Sequence, residues 1–127
     1  MRRDDLDGAR RVHPHAWLWE PLESDPGFVL GAMFGTRVAY LDGRLVLCFA
    51  ARDEPWRGVM ACAERENHAS LVAEFPSLAP HPVLGKWLYL PESADDFEPS
   101  AQRLVGMAAR RDPRLGVVPK ARRRRRG

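Results

Sequence analysis

Residues 28–50 read FVLGAMFGTRVAYLDGRLVLCFA, and this stretch decides the fold. An apolar run in its first half reaches the pair Asp42-Gly43, and a second apolar run follows directly. Asp and Gly both accept the positive φ of a type I′ turn, so the pair predicts an antiparallel hairpin. The unbroken apolar segment 45–49 is typical of a strand that is covered on both faces.

Outside the hairpin, strand-like and helix-like segments alternate with proline-rich turns. We expect further strands at 58–63 and 86–90, long helices at 64–75 and 95–110, a short helix near 16–19, and a last extended segment at 115–118. This amounts to about four strands and two or three helices. The pattern predicts an α+β fold, a single domain in which helices pack mainly on one face of a small antiparallel sheet.

The two long helices each show an apolar face. In the second, inward positions recur at intervals of three and four residues, at Phe97, Ala101, Leu104, Val105 and Ala108. In the first, the inward positions are expected at Ala69, Val72, Ala73 and Phe75.

The hairpin and a later strand resemble one known family. The segments AMFG at 32–35, YLDGRLVLCF at 40–49 and WLYLP at 87–91 are similar to the TfoX N-terminal-domain family, whose sheet opens with a Met-Phe-Gly motif. The resemblance covers roughly residues 14–118. It implies the small α+β fold shared with YjbR/MmcQ-like proteins. It also implies an association with regulation, because the family's namesake is a competence regulator.

The chain departs from the family pattern in two places. Thr36 follows Phe34-Gly35 where relatives often carry another glycine, and an arginine run stands where the namesake continues into a second domain. The family has no established active site, so the resemblance transfers no catalytic residue. Together with the lack of a recognisable catalytic motif, it favours a non-catalytic regulatory or adaptor domain that acts through protein–protein contacts.

Charge is distributed unevenly along the chain. Residues 12–119 hold ten basic and fourteen acidic side chains, whereas the last eight residues carry a cationic cluster made of Lys120, Arg122, Arg123, Arg124, Arg125 and Arg126. Consecutive arginines repel one another and attract polyanions, which predicts a disordered tail at 119–127 that binds nucleic acid without sequence preference. Two alternatives stay open. Eighteen arginines against two lysines is a skew expected of GC-rich coding, and the tail could bind the protein's own acidic body.

Nothing in the sequence indicates a membrane or secreted protein. No apolar run approaches the roughly 20 residues that cross a bilayer, and the charged segment 1–13, expected to be a flexible leader, lacks the apolar stretch of a secretion signal. We therefore predict a cytoplasmic protein with no membrane partner. Cys48 and Cys62 have no CxxC spacing and are expected to be reduced and partly buried, with a disulfide as the lesser alternative.

The candidate ligand-binding or enzymatic site lies where a strand end and a helix start meet. Cys62, Glu66, His68 and Lys86 would form it. A working thiol–imidazole pair needs a lowered thiol pKa and a group that orients the base, and the sequence shows neither. The structural alternative is that acidic residues and Asn67 stabilise and cap the helix N-terminus.

Two further features have structural explanations. His13 and His15 could ligate a metal, but they lack carboxylates or cysteines at ligand spacing, so solvated side chains are expected. We predict no metal and no cofactor. The four tryptophans are expected to pack in the core or line a groove, and an exposed Trp17 or Trp19 would indicate a partner surface.

Overall fold

A computed structural model describes residues 13–119. Within this range the elements follow in the order α1 Ala16–Trp19, β1 Phe28–Met33, β2 Thr36–Leu41, β3 Arg44–Ala51, β4 Arg57–Ala61, α2 His68–Glu74, β5 Ala79–Pro80, β6 Leu88–Pro91 and α3 Phe97–Ala109. Single 3₁₀ turns at Glu20–Leu22 and Arg65–Asn67 follow α1 and precede α2. The predicted α+β class is confirmed.

The strands form one antiparallel sheet in the order β1-β2-β3-β4-β6-β5. The expectation of about four strands was wrong by two. The first apolar run is not one strand but the hairpin of β1 and β2, which reverses at Phe34-Gly35. The second addition is β5, a two-residue strand beside β6 in a segment whose prolines predicted only loop.

The turn between β2 and β3 is the one that the sequence predicts. Asp42 and Gly43 have φ values of 53° and 82°, and Leu41 pairs with Arg44 across them. Both central residues therefore occupy the left-handed region that Asp and Gly tolerate.

A bulge in β3 distributes its apolar run between the two sheet faces. Ala39 pairs with Leu47 and Tyr40 with Leu45, which leaves Val46 as the extra residue. Val46 and Leu47 consequently both join the core on the helix side, whereas Leu45 joins the cluster on the other face. β3 is thus buried on both faces, as its unbroken apolar sequence predicted.

All three helices pack against one face of the sheet, as predicted. The five expected inward positions of α3 are buried there. The inward stripe predicted for α2 was half right: Phe75, directly after the helix, is buried and Val72 packs against the core, but Ala69 and Ala73 are exposed and the buried residue within the helix is Leu71. The error arose because alanines carry too little apolar surface to decide which face of a short helix is buried.

The other sheet face bears a second buried cluster, formed by Val38, Leu45, Cys48, Ala50, Met60, Cys62, Trp87 and Tyr89. Within residues 13–119, no helical residue belongs to it. Leu84, in the loop before β6, and Val117, in the segment after α3, pack against it instead. This face is therefore covered by loops, and the cover leaves a groove.

The expectation that His13 and His15 are solvated was wrong for His15. Its side chain is buried, and its ring centroid lies 5.4 Å from that of Phe97. α1 packs against α3, and this contact places His15, the residue before α1, beside the first turn of α3. Desolvation lowers the pKa of both imidazoles.

Within residues 13–119, none of the helices is both long enough and apolar enough to cross a membrane. Residues 1–12 and 120–127, which hold most of the expected leader and of the arginine tail, lie outside the described part of the chain.

Candidate functional site

Cys62, the proposed nucleophile, is enclosed in the protein. Its Sγ lies 3.8 Å from the Sγ of Cys48, and both thiols are free and buried. The two sulfurs are not bonded to each other, and both side chains are fully rather than partly buried. Desolvation, with a smaller contribution from Cys48, raises the pKa of the Cys62 thiol. A nucleophilic cysteine needs the opposite shift.

Of the other predicted site residues, Lys86 interacts electrostatically with the Cys62 thiol and opposes part of the rise in its pKa. An N–H of the His68 ring donates to the carbonyl of Ala63 at 3.0 Å, a local contact at the start of α2. Glu66 is exposed. Lys86, also exposed, belongs to the groove on the helix-free sheet face.

This groove has a volume of about 460 Å³. We call it the sheet-face groove. Its apolar lining comes mainly from three parts of the chain, with Met33 and Phe34 at the β1–β2 turn, Leu84 and Trp87 before β6, and Val117 and Val118 after α3. Leu45 and Ala63 also line it. Such a volume lies within the usual range of ligand pockets.

The segment after α3 is held in place by backbone hydrogen bonds. Val117 exchanges N–H···O bonds with Leu45 in both directions, each 2.9 Å long. The N–H of Gly116 donates to Cys62 O at 2.6 Å, and Arg44 Nη2 donates to Gly116 O at 2.7 Å. One side of the groove is therefore as well anchored as a strand, and the predicted extended segment at 115–118 is confirmed as this single bridge.

Phe34 is the most unusual residue of the groove. It occupies the first central position of the β1–β2 turn with φ at 54°, followed by Gly35 at 75°. Its side chain is 55% exposed, and its ring meets that of Trp87 edge-on with 6.3 Å between centroids. A bulky residue in the left-handed region costs about 1–2 kcal/mol relative to the right-handed one. The fold thus carries an exposed aromatic side chain at a position that disfavours it.

His81 fixes the loop that contributes Leu84. Its Nδ1 accepts the backbone N–H groups of Val83 and Leu84, at 3.0 and 2.9 Å. Nε2 therefore carries the ring proton and donates it to Pro55 O at 2.7 Å. The imidazole is buried, and it joins two loops by three hydrogen bonds.

Charged side chains edge the apolar lining. Arg65 and Lys86 line the groove together with Glu64. The guanidinium of Arg52 lies next to the β1–β2 turn and donates to Phe34 O at 3.3 Å. Among residues 13–119, neither Arg65 nor Lys86 has a carboxylate within ion-pair distance. The groove therefore combines an apolar interior with a cationic edge.

A second hollow, of about 440 Å³, lies at the start of α3 and is lined by Glu92, Asp95, Glu98 and His15. The Nε2 of His15 has no hydrogen-bond partner, but water has no access to it either. Glu92 forms an ion pair with Arg57, with 2.5 Å between Oε1 and Nε, although the two atoms are not aligned for a hydrogen bond. A bound molecule could reach the carboxylates but not the imidazole, so this hollow is a weaker candidate than the sheet-face groove.

Two other predictions bear on the search for a site. The proposed nucleic-acid contacts Lys120 and 122–126 lie outside the described residues, so they stay a prediction. Among residues 13–119, no group of three or more His, Cys, Asp or Glu side chains is arranged to hold a metal ion.

Comparisons with protein families, with curated proteins and with solved structures find no match to this chain. The resemblance to the TfoX N-terminal-domain family therefore stays a prediction that rests on the three short segments quoted above.

Proposed function

We propose that this protein is a non-catalytic regulatory or adaptor domain of the TfoX N-terminal type, acting in the cytoplasm. It binds a segment of a partner protein in the sheet-face groove. The observation that carries the proposal is Phe34, an aromatic side chain held exposed beside an apolar groove in a backbone conformation that costs stability. Exposed aromatic anchors are typical of protein-binding surfaces.

Two further observations support binding rather than catalysis. The apolar lining of the groove continues into Val118, which is 66% exposed and contributes surface that water solvates poorly. Close to the groove, the Cys62 thiol is enclosed and its pKa is raised, while the His68 ring is bonded to Ala63. These two side chains do not form a nucleophile–base pair.

Site-specific photo-crosslinking in the source cells tests the proposal. A benzoylphenylalanine at position 118 reports on the groove, and one at Gln102, which is exposed on α3, is the matched control. We expect position 118, but not 102, to capture a discrete protein. That protein, once purified, should bind Phe34→Asn about tenfold or more weakly than wild type. Arg103→Gln, which changes an exposed side chain of α3 on the helix side, should bind like wild type.

Three outcomes would overturn the proposal. The first is capture of a second copy of the chain, which would make the groove a self-association surface. The second is equal binding of the purified protein to Phe34→Asn and to wild type. The third is capture at position 118 of nothing that position 102 does not also capture, because the groove would then not be a protein-binding site.

A second candidate function rests on the six cations among residues 120–127. If these residues bind nucleic acid, affinity for duplex DNA should fall steeply with salt, with a log–log slope of about −5 for six phosphate contacts. A chain that ends at Pro119 should then not bind. Equal binding by both chains, or none by either, would remove this candidate.

A further inference from the structure

We propose that the segment bound in the sheet-face groove is an apolar peptide flanked by acidic residues. This inference rests on the proposed function and specifies the partner's chemistry. Three observations carry it, namely the composition of the lining, the sign of the charge at the edge, and the place where the chain leaves the described region.

The apolar lining of the groove suits an apolar stretch in the bound peptide. Met33, Leu84 and Val117 provide aliphatic surface, while Trp87 is only 5% exposed and packs against Phe34 in an edge-to-face arrangement. Phe34 is thus the one large aromatic ring exposed in this lining. Aliphatic walls with a single exposed ring suit aliphatic or aromatic side chains better than a series of stacked nucleobases, which need successive aromatic platforms.

The charged residues at the edge of the groove favour acidic residues in the bound peptide. Residues 12–119 carry an excess of acidic side chains, yet the charges beside this groove are mainly basic. Arg65 and Lys86 are exposed and have no ion-pair partner within the described range. On the helix side, Arg103 and Arg114 are paired with Glu74, whereas the exposed Arg110 has no ion-pair partner within the described range either. A local excess of unpaired cations on an acidic protein favours a partner of negative sign.

The chain leaves the described region at the groove itself. Pro119 is part of its lining, and the covalently attached residues 120–127 carry six further positive charges. Eight residues reach at most about 29 Å. Acidic side chains on either side of a bound segment are therefore within reach of these cations, so the tail and the groove would act on the same partner.

Selection from a phage-displayed library of random dodecapeptides tests the inference directly. The wild-type full chain is the target, and Phe34→Asn serves for counter-selection. We expect the enriched peptides to share one or two large apolar residues next to Asp or Glu. Enrichment of apolar peptides without acidic residues, or of basic ones, would overturn this inference and leave the proposed function standing. Failure of any peptide to prefer wild type over Phe34→Asn would count against both.

Titration of the best-enriched synthetic peptide then tests the role of the charges. Lys86→Gln and Arg65→Gln should each weaken binding about two- to fivefold, the usual range for exposed ion pairs, and the effect should shrink as salt is added. Arg103→Gln removes the same charge on the helix side and should leave affinity unchanged. A chain that ends at Pro119 should bind more weakly and depend less on salt.

Single-stranded oligo(dT) is the competing probe in the same titration. If it displaces the peptide in a manner that requires Phe34, the groove accepts nucleic acid and the peptide assignment is wrong. If it binds through residues 120–127 alone, it should bind Phe34→Asn and wild type alike, and the assignment stands. Equal loss of peptide affinity in Arg103→Gln and Lys86→Gln would also overturn the inference, because only net charge would then matter.

Discussion

Phe34 and Asp42 occupy equivalent positions in two successive turns of the sheet, with φ values of 54° and 53°. Each is followed by a glycine at positive φ, so the two turns share one backbone conformation. Asp is well suited to that conformation and Phe is not. The pair therefore provides an internal comparison between a turn residue that suits its backbone and one that does not.

Two different substitutions at Phe34 distinguish the effect of losing the aromatic ring from the effect of backbone strain. Phe34→Ala and Phe34→Asn both lose the contact with Trp87, but Asn tolerates the left-handed region better. We expect Phe34→Asn to be more stable than Phe34→Ala by about 1 kcal/mol. Urea unfolding monitored by tryptophan fluorescence measures the difference. Equal stabilities would mean that the turn carries no strain.

His81→Ala should be strongly destabilising. The substitution leaves two backbone N–H groups and the Pro55 carbonyl without their partner, and it opens space beneath Trp56, whose ring centroid lies 4.5 Å from the imidazole. We expect a loss of about 3 kcal/mol in the free energy of unfolding. His68→Ala, which removes one local hydrogen bond of a half-buried ring, is the control and should cost about 1 kcal/mol or less. If both variants lose the same stability, the His81 hydrogen bonds do not hold the loop.

The Cys48 and Cys62 thiols should be nearly inert in the native protein. Both side chains are buried, and burial raises the pKa of Cys62, so a disulfide reagent can reach a thiolate only when the fold opens. We expect labelling by an aromatic disulfide to be at least about 100-fold slower in native buffer than in denaturant. Native labelling at the denatured rate would contradict the enclosed arrangement.

Arg111 should make the protein more resistant to acid. Its guanidinium binds the Asp25 carboxylate through two nitrogens, at 2.7 and 3.0 Å, and the Asp42 carboxylate through Nε at 2.8 Å. Hydrogen bonds from Arg111 hold the pKa of Asp25 down to about 2 and lower that of Asp42. Because the folded-state pKa lies below the unfolded value near 4, this stabilisation is present above pH 4 and is lost as the pH falls towards 2.

Arg111→Gln tests this dependence. The variant should be less stable than wild type at neutral pH, and the gap should close as the pH falls from 4 to 2. Urea midpoints across that range give the stability, and an NMR titration of the Asp25 carboxyl should show its pKa return towards 4. A gap that persists unchanged at pH 2 would show that Arg111 stabilises the fold by packing rather than by charge.

The sequence predicts the parts of the fold that depend on local preferences. Asp42-Gly43 favours its turn strongly, and the three- and four-residue spacing of α3 identified five of its seven buried residues, missing Ser100 and Met107. The β1–β2 turn was missed because its backbone conflicts with the local preference of Phe34. β5 was missed because Pro80 contributes to an edge pairing that depends entirely on β6.

The candidate site was only partly predictable for a similar reason. Lys86 was identified, but as a companion of Cys62 and His68 rather than as part of an apolar groove. The importance of His81 follows from hydrogen bonds to Pro55, which lies twenty-six residues away. Pairings of that kind are set by tertiary packing, which leaves no periodic signal in the sequence. The exposure of Phe34 could have been suspected only from the Phe-Gly pair at a turn.

The two hydrogen bonds between Val117 and Leu45 have a consequence for binding strength. They hold Val117 in place in the groove lining, so, if the proposed partner binds there and also contacts residues 120–127, the second contact forms at an effective concentration in the millimolar range rather than by free diffusion. Ion pairs too weak to hold a partner on their own would then add to overall avidity. Weakening the bridge at Val117 should therefore reduce avidity even though no charge is removed.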